Sequence, residues 1–119
     1  MRNNLGEDTI EKLVLVEGGE VHFIREPRNV ANAVGQIQWA LLLALRSAIM
    51  GGGFETDPEA VRSICIEKGF YDKANFAAVF KRKQNASLFK EEMVPQGPSR
   101  SLSDEGEVEL GNLVRTLTA

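Results

Sequence analysis

Residues 69–85 combine cations (Lys73, Lys81, Arg82, Lys83), amides (Asn75, Asn85) and small side chains (Ala74, Ala77, Ala78). Phe76, Val79 and Phe80 fall at i, i+3 and i+4, so a helix here puts them on one face. At about 100° per residue, the opposite face holds Ala74, Ala78, Lys81 and Asn85. Small residues ringed by basic and amide groups suit close approach to a phosphate-lined groove. An ordinary reading stands beside this one. Cations near the end of a helix stabilise it through the macrodipole, and Asn75 is placed to reach back and cap the helix start.

Charge is unevenly spread. Residues 70–100 hold six basic side chains (Lys73, Lys81, Arg82, Lys83, Lys90, Arg100) and three acidic ones (Asp72, Glu91, Glu92), a local balance of +3. The whole chain carries −3, which leaves −6 for the remainder. An acidic protein with one basic region points to a local anionic contact, not to general adhesion to nucleic acid.

Catalytic chemistry finds no support. His22 is the one histidine and Cys65 the one cysteine, too few for a zinc site. Cys65 shares an apolar face with Val61 and Ile64, where a cysteine acts as a small hydrophobe. No paired carboxylates and no nucleophile with its base stand in a recognisable arrangement, so neither an enzyme nor a cofactor is expected. A single cysteine forms no internal disulfide and fits a reducing cytoplasm. The polar start of the chain lacks the apolar centre of a signal peptide. The apolar run at residues 39–45 is far short of the roughly 18–20 residues of a membrane span.

The elements that must position residues 69–85 follow from pattern. The length of 119 residues points to one domain. We expect an N-terminal β-hairpin extension over 1–28 and the main body over 29–119. Residues 1–11 read as a loose lead-in. Residues 12–16 and 21–25 are β-prone and flank Gly18-Gly19, whose glycines accept a tight hairpin turn. That turn sets Val16 against Val21 and Val14 against Phe23. Leu13, Leu15, His22 and Ile24 fall on the other face, and a lone hairpin needs cover on at least one side. Asn29 is the expected cap of a long helix over 30–50 that is apolar on several sides, either a central helix or an oligomer interface. Gly51-Gly52-Gly53 ends it. Asp57 with Pro58 starts the next helix, or Thr56 with Glu59 forms a capping box there. That helix stops at Gly69. Asp72 is the expected cap of a helix reaching Gln84. Residues 87–90 and 100–102 read as strands around a loop containing Pro95, Gly97 and Pro98. Ser103 caps a last helix with Leu110, Leu113, Val114 and Leu117 as its stripe.

This α+β, mostly helical order resembles a winged helix-turn-helix domain of the bacterial type. The resemblance is carried by residues 61–69 as positioning helix and turn, and by 72–85 as recognition helix. Residues 89–102 correspond to the wing, and Leu102-Ser103-Asp104-Glu105-Gly106 to the start of the last helix. It covers about the last three quarters of the chain and leaves the hairpin outside. One departure is visible: the apolar residue expected six places after the turn glycine falls at Phe76, one place later, so the turn is longer. The resemblance implies duplex DNA as partner, with the recognition helix in the major groove. Lys73, Lys81 and Arg82 would then meet phosphate or guanine. Asn75 and Asn85, with Ala78 between them, would meet base edges, and Lys90 and Arg100 would touch phosphate from the wing. It further implies a small cytoplasmic regulator, and a homodimer formed by the hairpin and the helix over 29–50 would suit it. The alternative is a protein-interaction or assembly module docking through the apolar hairpin, which Glu91, Glu92 and the net acidity favour.

Overall fold

The computed structural model describes residues 7–119 and is α+β, about 54% helical. It opens with a helix, α1 (Glu7–Leu13), where a loose lead-in and a strand start are expected. Ile10 and Leu13 explain the difference. At i, i+3 they give the segment an apolar side, and Leu13 is completely buried. α1 lies against the last helix, so its stability comes from packing and not from its length. The earlier part of the predicted lead-in lies outside the described residues.

The hairpin forms in the predicted register. β1 (Val14–Glu17) pairs antiparallel with β2 (Glu20–Phe23), with Val14 opposite Phe23 and Val16 opposite Val21. Strand β2 ends at Phe23, short of the predicted Arg25. One side of the hairpin packs on the molecule: Val14 is buried and Phe23 meets Trp39 edge-on with ring centroids 5.5 Å apart. Leu15, Val16 and Ile24 stay about half exposed.

The apolar helix is therefore the second helix of the chain, α2 (Asn32–Ile49). Asn29 does not cap it. Its φ of 57° puts it in the left-handed region, which asparagine tolerates. Ala31 holds the cap position without a side-chain hydrogen bond. The central-helix reading describes α2 well, because every residue from Gly35 to Leu45 except Gln38 is buried. Little of that apolar surface is left for a second chain.

After Gly51-Gly52-Gly53, a two-residue strand appears that the sequence reading lacks, β3 (Glu55–Thr56). Thr56 does not join a capping box. Its hydroxyl is buried and donates to the Ala40 carbonyl at 2.7 Å. Asp57 caps α3 (Pro58–Lys68), accepting from the Glu59 amide at 3.1 Å. Gly69, at φ 85°, ends it in the expected left-handed conformation.

β4 (Arg100–Ser101) pairs antiparallel with β3, Glu55 opposite Ser101 and Thr56 opposite Arg100. The predicted strand over 87–90 shrinks to one bridge, Phe89 with Leu102. Lys90 adds a backbone donation to Ser101 at 3.0 Å. The last helix, α6 (Asp104–Thr118), is capped by Ser103 as expected, its hydroxyl accepting from the Gly106 amide at 3.1 Å. A Cβ at Gly106 would run into the Leu88 carbonyl. That close approach is what a glycine three places after the capping serine permits.

Among the described residues no helix is long and apolar enough to cross a membrane.

Candidate nucleic-acid interface

The chain between Gly69 and Leu88 departs most from expectation. A single helix over 72–84 is not present. Residues 73–75 form turns, and the helix α4 (Phe76–Lys81) is six residues long. Arg82 then adopts an extended conformation (φ −60°, ψ 137°), and a separate turn of helix, α5 (Lys83–Ala86), follows.

Side-chain competition for backbone groups accounts for both ends. Asp72 does not cap a helix beginning at Lys73. Its carboxylate accepts from the Ala74 amide at 3.2 Å and from Asn75 Nδ2 at 2.8 Å, holding a local turn. Short polar side chains offer the backbone such alternatives to helix. At the other end, Asn85 Nδ2 donates to the Val79 carbonyl at 2.8 Å. That bond stabilises the end of α4 and lets the chain turn at Arg82.

The buried side of α4 is as expected. Phe76, Val79 and Phe80 are all buried. Phe80 stands edge-on to Phe76 (5.5 Å between centroids) and to Phe89 (6.2 Å). Two residues of α2 set the position of α4, and the sequence reading gave neither a role. Gln36, 1% exposed, donates its Nε2 to the Phe76 carbonyl at 2.9 Å. Gly35 makes room for Phe70, whose ring would collide with any Cβ there. A glycine inside a long apolar helix was the available sequence signal.

The candidate residues divide into two groups. Lys73, Ala78, Lys81, Arg82 and Lys90 are exposed, as is Lys83 beside them. Among the described residues, none of these five cations lies at ion-pair distance from a carboxylate. The others are already engaged. Asn75 and Asn85 each spend one Nδ2 donor on a nearby group of the chain, Asn75 on the exposed Asp72 carboxylate and Asn85 on the part-buried Val79 carbonyl. Arg100 donates through Nε to the Glu92 carbonyl and through Nη1 to the Glu91 carboxylate, both at 3.0 Å. Arg100 thus closes the loop between Lys90 and β4, and it also neutralises Glu91.

The cations of α3 contrast with those of α4. Arg62 pairs with Glu59 at 3.1 Å and lies over the Tyr71 ring, 5.4 Å from its centroid. Its pKa is raised, first by its contact with Tyr71 and then by the charge of Glu59. Lys68 pairs with Glu26 at 3.0 Å and its pKa is raised, first by that hydrogen bond. Cys65 is completely buried beneath α3, and desolvation pushes its thiol up to about 11. It is protonated at neutral pH, and burial denies a reagent access.

No known protein family, curated protein or solved structure matches the chain.

Proposed function

We propose that the chain is a winged-helix protein that holds duplex DNA through its phosphates, with little reading of base edges. The observation that carries this reading is the set of five exposed cations, Lys73, Lys81, Arg82, Lys83 and Lys90, without an ion-pair partner among the described residues, in an otherwise acidic chain. The order of elements supports the fold assignment. A helix (α2) leads to β3, then α3 and α4 around a turn, then the single turn of α5, a bridge at Phe89, a loop, and β4 paired back to β3. The engagement of one Nδ2 donor of Asn75 and one of Asn85 within the chain favours phosphate contact over sequence readout. In this reading Arg100 orders the wing and does not itself touch DNA.

Removing two of these cations tests the proposal. A variant carrying Lys81→Ala and Arg82→Ala should bind mixed-sequence duplex more weakly. Its plot of log affinity against log salt should be shallower by up to about two phosphates' worth of slope. Both side chains are exposed, so the fold should persist. An unchanged slope, or no gel shift by the parent protein at low salt, would reject DNA as the partner.

The half-exposed Leu15 and Ile24, on the hairpin face turned away from Val14 and Phe23, favour a second reading, a protein-interaction module or homodimer using the open side of the hairpin. Among the described residues, β1 and β2 form a two-stranded sheet whose outer edges carry no further strand, and edges of this kind accept an added strand. In this reading Leu15→Lys abolishes association while leaving any DNA binding unaltered.

A further inference from the structure

A groove of about 1030 Å³ runs between α2 and α6, and Arg82 and α5 contribute to its wall. Its apolar lining includes Val34, Ile37 and Leu41 from α2 and Val108 from α6. Ile37 and Leu41 belong to the buried core, whereas Val34 and Val108 are 46% and 47% exposed. The apolar surface of the core thus continues outward into an open channel.

The channel has a charge of its own. Glu105 and Glu109 are one helical turn apart, flank Val108, and both line the groove. Asp104 lines it too, and Arg82 is the one cation among the described residues that line it. Three carboxylates against one guanidinium give a balance of −2. The α6 residues that line the groove span positions 104–116, about 18 Å at the helical rise of about 1.5 Å per residue. This length and open shape match about three turns of a second helix laid alongside, not a compact ligand held in a closed cavity.

We propose that this groove docks an amphipathic helix of a protein partner, one with an apolar stripe flanked by lysine or arginine. The stripe lies on Val34 and Val108, and its flanking cations lie over Glu105 and Glu109. This is helix-in-groove recognition, with anchors at i, i+3, i+4 and i+7. Acids on one rim select a basic helix over an acidic one of equal hydrophobicity, because like charges facing across an interface disfavour the wrong partner. The groove shares Arg82 with the proposed phosphate contacts, whereas the docking residues Glu105, Glu109, Val34 and Val108 are not among them.

Two labelled peptides of about four turns each test it, one built of leucine and lysine in an amphipathic pattern and one of leucine and glutamate. Binding is read by fluorescence anisotropy on the full chain. The lysine peptide should bind at least about tenfold tighter than the glutamate peptide. Val108→Asp should weaken it by about tenfold or more, and so should the double variant Glu105→Gln with Glu109→Gln. Val108 is half exposed, so its change leaves the core intact, which a circular-dichroism melt verifies. Glu17→Lys alters net charge by the same two units as the double variant but lies on β1, outside the groove. It should leave affinity within about twofold. Equal binding of the two peptides would overturn the proposal, and so would a loss with Glu17→Lys as large as that with the groove variants. Sedimentation supplies a third arm: a dimer that Val108→Asp converts to monomer would make the occupant a second copy of this chain and overturn the proposal.

Discussion

α3 and the α4–α5 segment are neighbours in sequence and differ in almost every respect. α3 is capped by its own preceding residue, starts with a proline, and ends on a left-handed glycine. Its cations Arg62 and Lys68 are paired. α4 starts without a side-chain cap, and its terminal bonds come from outside the helix, from distant Gln36 on one side and from Asn85 in the adjoining α5 on the other. Its cations are unpaired. The contrast teaches that α3 is specified locally, whereas α4 is held by the core beneath it and leaves its charged side available. An isolated six-residue helix does not persist in water, so α4 depends on Phe76, Val79 and Phe80.

The largest effect expected is therefore on the buried side of α4. Phe80→Ala removes a ring that is 2% exposed and contacts both Phe76 and Phe89. Loss of such a side chain costs about 3–5 kcal/mol. Urea denaturation should show that loss, together with weakened DNA binding if α4 presents the phosphate contacts. A loss below about 1 kcal/mol would mean that α4 is not held by its aromatic face.

On the α3 side, Cys65 gives an effect that depends on pH. The folded-state pKa of about 11 is raised above the ordinary 9.0 by burial. A raised pKa means that the contribution of the protonated thiol is fully present below pH 9 and is lost as pH rises through 11. A shift of this direction and size corresponds to a loss on the order of 2 kcal/mol by the upper end of the window. The difference in stability between the parent and Cys65→Ala should shrink over that interval. A pH-independent difference would show that the thiol ionises no harder in the fold than out of it. At neutral pH, the native protein should also react with a thiol reagent only on unfolding.

What the sequence makes legible follows the same division. The hairpin register, the Asp57 cap, the Gly69 stop and the Ser103 cap are all decided by residues adjacent in the chain, and all are read from it. The elements missed or misplaced depend on distant partners. α1 reads as coil because its stabilising surface is α6, about ninety residues away in sequence. β3 is two residues long and exists only through β4. The helix over 72–84 looked continuous because Phe76, Val79, Phe80 and the following cations fit a single period. Its break at Arg82 comes from a bond between Asn85 and Val79, and spacing alone cannot distinguish an asparagine exposed to solvent from one turned inward. For the same reason the exposed candidates Lys73, Ala78, Lys81, Arg82 and Lys90 were accessible to sequence reasoning, while the engagement of Asn75, Asn85 and Arg100 was not.

The smallest effects sharpen the comparison most, because they place one brace of each kind side by side. Asp57→Ala deletes a local cap, and such changes cost about 0.5–2 kcal/mol. Asn85→Ala deletes a side-chain brace that reaches back six residues and leaves the Val79 carbonyl with only a longer bond, 3.4 Å, from the Arg82 amide. A lost hydrogen bond of this kind is worth about 0.5–1.5 kcal/mol. The two variants should thus be destabilised by similar amounts in a melt, but they should differ in hydrogen exchange. With Asp57→Ala, faster exchange should be confined to the first turn of α3, since its remaining ladder is intact. With Asn85→Ala, it should spread over α4 and α5, since a helix this short has no interior to protect it. Equal local effects in both would erase the distinction between a helix written in its own sequence and one held by its surroundings. If Asn85→Ala also leaves duplex affinity unchanged across different DNA sequences, the amide is a brace and not a reader. A selective loss on adenine-containing sites would instead place it at a base edge.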